Sequence, residues 1–228
     1  MKTLNDYFSK IYCINLDKRT DKYKDCLKEF KKIGIEVERV SAIDGTPIFK
    51  PGLNTKAGAY GLFLTNLNII QNALTNNYKN ILILEDDVMF IDNFNELFNE
   101  KIESLPDDWH LLYLGGNNYF ELGKFNLVTG DRSFKVTKEN YRKLNHEICK
   151  TTWTQTTHAM AINSSHYRLL LSGLARHSTV PIDRAYCYLQ REGACNAYTF
   201  LPSLALQRPT ISDIEGIYID YNNRNHNF

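Results

Sequence analysis

The chain has 228 residues, which is enough for one domain with a sizeable core. Its 27 Lys and Arg residues balance 26 Asp and Glu residues, and the net charge of +1 gives no general attraction to nucleic acid or to an anionic membrane. Residues 1–10 lack the apolar core of a signal peptide, and no stretch reaches the length of a membrane span. Five scattered cysteines without a CxxC pair favour neither a disulfide framework nor a zinc cluster. We therefore expect a cytoplasmic protein with no nucleic-acid partner and no membrane span.

The first third of the chain predicts a βαβ unit followed by a longer helix. Residues 10–16 are apolar enough for a strand, and a helix is expected to begin near Asp21, where apolar residues start to recur at helical spacing. Gly34 supplies a stop for that helix, and residues 36–40 alternate as a second strand. Between residues 63 and 74 one apolar stripe predicts the longer helix.

Three consecutive carboxylates end the most apolar run of the sequence. Residues 81–88 read Ile-Leu-Ile-Leu-Glu-Asp-Asp-Val, and such a run is typical of a strand buried on both faces. Glu85, Asp86 and Asp87 are too costly to bury without cations, so the strand is expected to carry them to an opening. In α/β sheets ligands bind at the carboxyl ends of the strands, and hard oxygen ligands favour magnesium, manganese or calcium over zinc. The alternative is a solvated strand-to-turn junction, because Asp is common in turns.

The remaining sequence predicts a mixture of helices and strands without a dividing linker. The expected elements are a helix at 94–102, strands at 110–114 and 157–162, helices at 167–174 and 183–190, and one or two strands within 197–206. Residues 117–152 have weak periodicity and many polar residues, which favours a loop insertion in contact with an acceptor. We expect one domain over residues 1–228, with a loosely ordered tail after residue 214.

Seven short segments occur in an order that is more specific than any one of them. They are residues 14–21, 42–45, 84–87, 109–115, 157–159, 181–183, and 207 together with 212–214. In this order they resemble glycosyltransferase family 25, which includes lipopolysaccharide-core and procollagen galactosyltransferases. One departure concerns a Ser-His pair that usually follows two glycines in the family. The glycines are present as Gly58 and Gly61, but Thr65 and Asn66 replace the pair, so a role for that His is excluded.

The resemblance implies an α/β fold of GT-A type, in which a mixed, mostly parallel sheet is flanked by helices. It also implies a UDP-sugar donor, a divalent ion such as Mn²⁺ or Mg²⁺ on the diphosphate, inversion of the sugar, and a glycan or hydroxylysine-type acceptor. The chemistry is consistent, because a metal held by carboxylates stabilises negative charge on the departing diphosphate. Asp87 is the predicted metal ligand, with Glu85 beside it on the same strand face.

The predicted donor-binding residues follow the first three strands. They are Asn15, Leu16, Asp17, Arg19, Asp44, Gly45, Glu85 and Asp86. Arg19 has the geometry to pair with phosphate bidentately, although charged residues are also common in a first helical turn. Asp44 and Gly45 are equally typical of a structural turn.

Asp183 is the candidate base that takes the proton of the acceptor hydroxyl, because it follows Pro181 at the start of a predicted helix. A helix N-cap is the alternative for this residue. His158 and Trp153 are weaker candidates for acceptor contacts or for support of the site, and a histidine on an apolar strand is more often a satisfied core side chain. Asp213 and His226 are weak candidates for completing the metal shell from the tail.

Two other functions compete with glycosyl transfer. A catalytically silent sugar- or nucleotide-binding module is favoured by the replacement of Ser-His by Thr65 and Asn66. A nucleotidyltransferase on a similar sheet is expected to carry a glycine-rich phosphate loop after the first strand, and residues 15–21 contain no glycine.

Overall fold

The computed structural model describes residues 2–49, 55–118, 126–129, 132–135 and 146–220. The helices in these ranges are α1 (Leu4–Tyr7), α2 (Thr20–Ile33), α3 (Ala57–Thr75), α4 (Phe94–Lys101), α5 (Tyr167–Arg176) and α6 (Ile182–Arg191). None of the described helices has the length and apolarity that are needed to cross a bilayer.

The strands occur along the whole described chain. Those of the first half are β1 (Lys10–Asn15), β2 (Glu38–Ser41), β3 (Asn80–Glu85), β4 (Val88–Phe90) and β5 (Leu111–Asn118). Those of the second half are β6 (Asn126–Thr129), β7 (Arg132–Lys135), β8 (Glu147–Thr151), β9 (Thr154–Asn163), β10 (Ala197–Leu201), β11 (Ala205–Gln207), β12 (Thr210–Ile211) and β13 (Tyr218–Ile219).

The predicted elements are present, and their ends differ from the predictions by a few residues. Helix α2 begins at Thr20 and ends at Ile33, and the Gly34 that follows has a φ of 71°, the left-handed conformation that glycine adopts without steric cost. Strand β5 continues beyond the predicted end at Leu114 to Asn118, and β9 begins at Thr154 rather than at Thr157. Both differences lengthen strands in the centre of the sheet.

Nine of the described strands form one sheet in the order β2-β1-β3-β9-β5-β10-β8-β6-β7. Pairs β1–β2, β1–β3 and β5–β10 are parallel, and the other five pairs are antiparallel. Following these pairings across the sheet, six described strands share one direction and only β9, β8 and β7 oppose it. This is the mixed, mostly parallel α/β sheet flanked by helices that the resemblance predicted as a GT-A-type fold.

The sheet separates two apolar cores. In β3, Leu82 and Leu84 belong to the core that contains α2 and α4, whereas Ile81 and Ile83 belong to the core that contains α3, α5 and α6. All four side chains are fully buried, as predicted for this strand. Burying such a side chain contributes about 1.5–3 kcal/mol, so β3 anchors both layers and fixes the position of its acidic end.

The segment after β10 returns to the end of β3. Strand β11 pairs with β4, with Gln207 opposite Val88, and β12 pairs with β13. The described chain continues to residue 220, and the expected loose tail after residue 214 stays a prediction. In the predicted insertion at 117–152, the described residues include β6, β7 and β8, and β8 extends the sheet beside β10. The assignment of residues 1–228 to one domain stays a prediction.

Candidate active site

The carboxyl ends of β1, β2 and β3 lie at one edge of the sheet because these strands are parallel. They border a cavity of about 300 Å³, which we call the strand-end cavity. Asn15 contributes to its wall at the end of β1, and Glu85, Asp86 and Asp87 contribute at the end of β3. The start of α3 and residues between 207 and 214 complete its lining. The opening predicted at the end of the acidic strand is therefore present.

Burial is the largest influence on the pKa of Glu85, the last residue of β3, and of Asp87, which lies in the turn after β3 rather than on the strand face expected for it. It raises the pKa of Glu85, and the charge of Asp87 adds to this effect, whereas a hydrogen bond from Thr157 opposes it. Thr157 Oγ1 donates to Glu85 Oε1 at 2.6 Å. Burial and then the charge of Asp86 raise the pKa of Asp87, and Gln207 Nε2 donates to Asp87 Oδ2 at 3.3 Å. Neighbouring buried carboxyls that disfavour each other's charge form a site that a cation stabilises.

Asp86 has a different environment, with a cation and an amide beside it. Burial raises its pKa, and the charge of Lys22 and a hydrogen bond from Asn15 oppose this effect. The Asn15 Nδ2 atom donates to Asp86 Oδ2 at 2.7 Å, and Lys22 Nζ lies 3.8 Å from Asp86 Oδ1. Arg39 Nε donates to Asn15 Oδ1 at 2.9 Å, so the orientation of the Asn15 amide is fixed from both sides.

Asp213 connects the C-terminal segment to α2 by ion pairs. Arg19 donates to Asp213 Oδ1 at 2.6 Å, and Lys22 donates to Asp213 Oδ2 at 2.8 Å. Burial works against the charge of Asp213, but the hydrogen bonds from Arg19 and Lys22 outweigh it and hold the pKa of Asp213 below its ordinary value. Arg19 also pairs with Asp21 at 3.0 Å. Lys22 and Asp213 line the strand-end cavity, so this cluster places two cations close to its acids.

The predicted donor-binding residues separate into two groups. Asn15, Leu16, Asp44, Gly45, Glu85 and Asp86 line the strand-end cavity. Asp17 is exposed and turned toward β2, where it accepts hydrogen bonds from Arg39 at 2.7 Å and from Ser41 at 2.8 Å. Arg19 is directed to Asp213 and Asp21 and is absent from the cavity wall.

The loop after β2 packs directly on α3 because two glycines face each other. A Cβ atom on Gly61 would lie 2.1 Å from the Ile43 carbonyl oxygen and 2.7 Å from the Gly45 nitrogen. A Cβ atom on Gly45 would lie 1.8 Å from the Ala57 carbonyl oxygen. Thr65 Oγ1 accepts a hydrogen bond from the Ile43 nitrogen at 2.9 Å and donates to the Gly61 carbonyl at 2.8 Å. The residue that replaces the family's Ser therefore holds this loop against the helix.

The acids at the end of β3 fit a metal ion that the protein and the substrate bind together, better than an ion that protein side chains alone surround. Among the described residues, no three His, Cys, Asp or Glu side chains are grouped so that they alone hold a metal ion. Asp87 Oδ1 is buried and has no hydrogen-bond partner within the described part of the chain. Such an oxygen is costly unless a cation or a donor reaches it. Glu85 and Asp87 fit an ion that takes one or two carboxylates and completes its shell with substrate phosphate and water, as Mg²⁺ does.

Asp183 and Trp153 have different relations to this site. Asp183 lies in the first turn of α6, where its Oδ1 accepts a hydrogen bond from the Arg184 backbone nitrogen at 2.7 Å. The N-cap of α6 is Pro181, so the alternative of Asp183 as N-cap is wrong. After burial and the charges of Asp87 and Asp86, the charge of Asp183 also raises the pKa of Glu85. Trp153 packs edge-on against Tyr188 with ring centroids 6.1 Å apart, away from the strand-end cavity.

The other weak candidates are a core histidine and a tail residue. His158 is 2% exposed and its ring nitrogens contact Thr156 Oγ1 and the Ala205 carbonyl, which agrees with the core alternative for this residue. His226 lies outside the described residues.

Three residues that contact the acids were not predicted as site residues. Lys22 directly follows the first motif and is buried in α2, where a lysine is unusual unless it is paired. Thr157 lies in the motif of residues 157–159, and its side chain donates to Glu85. No sequence pattern brings Gln207 to Asp87, because 120 positions separate the two residues.

Comparison with known proteins points to one family. The family model for glycosyltransferase family 25 (LPS biosynthesis protein) matches residues 8–183. A family 25 member of Anopheles gambiae is 30% identical over 131 residues, and procollagen galactosyltransferase 2 of Mus musculus is 26% identical over 129 residues. A probable inactive family 25 member 3 of Bos taurus is also 26% identical over 129 residues.

These alignments cover 47% of this chain in all three cases. They cover 22%, 21% and 22% of the respective relatives, so the matched part is about a fifth of each of those proteins. The family model, in contrast, extends from β1 to the first turn of α6 and includes all three acids of the strand end. The chain therefore belongs to glycosyltransferase family 25.

Proposed function

We propose that this chain is a metal-dependent inverting glycosyltransferase that moves a hexose from a UDP-sugar to a hydroxyl of a glycan or of a collagen-like hydroxylysine. Membership of family 25 supports sugar transfer, and the name of the mouse relative supports a hexose donor. The observation that carries the proposal is the strand-end cavity, in which three acids and Lys22 surround space for a charged ligand.

Asp87 and Glu85 are the residues proposed to hold the divalent ion. When bound, Mn²⁺ or Mg²⁺ supplies positive charge that stabilises the leaving diphosphate. The unpartnered Asp87 Oδ1 supports this assignment, because a buried carboxylate oxygen needs a partner. Thr157 donates to Glu85 Oε1 and Gln207 donates to Asp87 Oδ2. Each hydrogen bond lowers the pKa of its acid and so favours the charged form that binds a cation.

Asn15, Leu16, Asp44, Gly45 and Asp86 are proposed to bind the nucleoside. Asp86 is oriented by Asn15 at 2.7 Å, which suits an acceptor of ribose hydroxyl hydrogen bonds.

The diphosphate is proposed to contact Lys22, which already lines the cavity. Arg19 is proposed to contact the diphosphate as well, after its ion pair with Asp213 breaks. Asp17 is not part of this proposed set, because Arg39 and Ser41 already engage both of its carboxylate oxygens.

Asp183 is proposed as the base of the transfer step. The acceptor oxygen forms a new bond to the anomeric carbon from the face opposite the nucleotide, while the bond from that carbon to the diphosphate oxygen breaks. The electron pair of the broken bond leaves with UDP, and the acceptor proton goes to the Asp183 carboxylate. Its position at the start of α6, within electrostatic range of Glu85, supports this role.

The test is a screen of UDP-glucose, UDP-galactose, UDP-xylose and the N-acetylated UDP-sugars for hydrolysis in the presence of Mn²⁺ or Mg²⁺. We expect UDP release from at least one donor, loss of that release with excess EDTA, and its recovery when metal is restored. UDP release that EDTA leaves unchanged would contradict the metal assignment but would remain consistent with glycosyltransferase activity. Absence of UDP release from every donor would contradict the proposed glycosyltransferase activity.

A catalytically silent binding module is the second candidate. It is favoured by the relative named as probably inactive and by Asn66, which replaces the family's His and is fully buried in α3. Such a module would bind UDP with metal in a calorimeter yet release no UDP from any UDP-sugar.

A further inference from the structure

Strand β9 is distorted where it passes the acidic end of β3. Thr156 has a φ of 67°, a left-handed conformation that is strained for a β-branched residue. In the pairing with β5, Asn117 lies opposite Gln155 and Gly115 lies opposite Ala159, so four steps along β9 match two steps along β5. The additional residues form a bulge, a distortion that redirects side chains and is common beside active sites.

The bulge is held by a buried histidine and by a glycine that leaves room for it. Burial lowers the pKa of His158 to about 4, so the ring is neutral at physiological pH. One ring nitrogen therefore donates, to the Ala205 carbonyl at 3.3 Å, while the other accepts from Thr156 Oγ1 at 3.0 Å. A Cβ atom on Gly115 would lie 2.6 Å from His158 Nε2 and 1.9 Å from the Ala205 carbonyl oxygen, so only glycine fits there.

The result of this distortion is the position of Thr157. Its side chain is 3% exposed and donates to Glu85 Oε1 at 2.6 Å across the β3–β9 pair. The regular pairing of β3 with β9 ends at Leu84 and Ala159, one residue before Glu85, so the bulge begins where Glu85 enters the strand-end cavity.

We propose that Thr157 is a positioning residue for Glu85, and that the strained segment of residues 156–158 exists to hold the Thr157 hydroxyl against that carboxylate. The inference rests on the proposed function, because Glu85 is proposed there to act on the donor and its metal. Strained backbone of this kind clusters at functional sites, and here it lies beside the acidic end of β3.

The experiment compares Thr157→Val, which keeps the shape of the side chain and removes the hydroxyl, with Thr157→Ser, which keeps the hydroxyl. Binding of UDP in the presence of Mn²⁺ is measured by calorimetry, and folding by thermal melting. A hydrogen bond to a charged group is typically worth an order of magnitude in affinity, so we expect Thr157→Val to bind UDP about tenfold more weakly. Thr157→Ser is expected to bind within about threefold of wild type.

A double-mutant cycle separates positioning from general destabilisation. In a Glu85→Ala background, which has no carboxylate to position, Thr157→Val is expected to change UDP affinity by less than about twofold. The same tenfold loss in that background, or equal affinity of Thr157→Val and wild type, would overturn the inference while the proposed function stands. If the wild-type protein binds no UDP with Mn²⁺, the proposed function fails, and the inference fails with it.

Discussion

The two walls of the strand-end cavity are built in different ways. The N-terminal wall consists of the ends of β1, β2 and β3, so its polar residues directly follow strands in the sequence. The C-terminal wall is supplied by the segment after β10, and its Gln207 and Asp213 reach their partners Asp87 and Lys22 across 120 and 191 positions. The first wall supplies the buried acids, and the second supplies contacts that hold them or their cations.

This difference predicts different consequences of substitution. A change in the N-terminal wall alters the charge that acts on a ligand, and it is expected to affect turnover. A change in the C-terminal wall alters the hydrogen bonds and ion pairs that ligand-binding side chains make within the protein, and it is expected to affect ligand affinity more than turnover. Three substitutions follow in decreasing order of expected effect, of which the first and third test this division and the second tests the packing of the N-terminal wall.

Asp87→Asn is expected to have the largest effect, because it removes charge at the end of the acidic strand and keeps the shape. We expect kcat/KM for donor hydrolysis to fall about 10²–10³-fold, the range typical for removal of one preorganised electrostatic group. The melting temperature is expected to stay the same or rise, since burial and the charge of Asp86 both disfavour the ionised form of Asp87.

Asp92→Asn is the matched control, because its carboxyl is 93% exposed and pairs only with Lys32 among the described residues. It is expected to change neither kinetics nor stability measurably. Unchanged turnover in Asp87→Asn would remove the acidic strand end from the chemistry and leave the N-terminal wall with a structural role only.

Gly61→Ala tests the N-terminal wall through its packing. The added Cβ would lie 2.1 Å from the Ile43 carbonyl oxygen, so the loop carrying Asp44 has to move away from α3. We expect a loss of about 3 kcal/mol in the free energy of unfolding and a fall of roughly 10 °C in Tm, measured by chemical and thermal denaturation.

Gly58→Ala, in the same helix, is the control for that packing test. Its Cβ would lie 3.3 Å from the Ile214 side chain and 3.4 Å from the Asp213 carbonyl oxygen, and stability is expected to change by less than about 1 kcal/mol. Equal effects of the two substitutions would mean that helix propensity, rather than the contact with the loop, determines the result.

Sequence patterns were informative for the first wall because its geometry is local. A buried run such as residues 81–84 predicts a strand, and parallel strands place whatever follows them at one edge, so the clustering of Asn15, Glu85 and Asp86 was expected. The helices were found for the same reason, since apolar spacing and the stop at Gly34 are properties of neighbouring residues.

The contacts of the second wall were not predictable, because they depend on tertiary packing. The pairing of β11 with β4 brings Gln207 to Asp87, and nothing within either segment encodes that register. The strained backbone at Thr156 is equally hidden, because a β-branched residue in a strand predicts extended backbone. Arg19 shows the converse. Its sequence context predicted a contact with phosphate, but in the described structure its guanidinium forms an ion pair with Asp213.

Asp213→Asn is expected to have the smallest of the three effects. It tests whether the C-terminal wall keeps Arg19 and Lys22 from contacting a ligand. Asp213 holds both Arg19 and Lys22, so the neutral amide weakens two ion pairs and is expected to lower stability by about 1 kcal/mol. Because the two cations become available to phosphate, we expect UDP to bind about threefold more tightly by calorimetry.

The control for Asp213→Asn is Asp21→Asn, which weakens the other ion pair of Arg19. The Asp21 side chain is 67% exposed and does not line the strand-end cavity, so UDP affinity is expected to stay unchanged. A tenfold loss of metal-dependent UDP binding in Asp213→Asn would assign the Asp213 carboxylate to the metal shell. The C-terminal wall would then share the chemistry of the acids, and the division of roles between the two walls would be wrong.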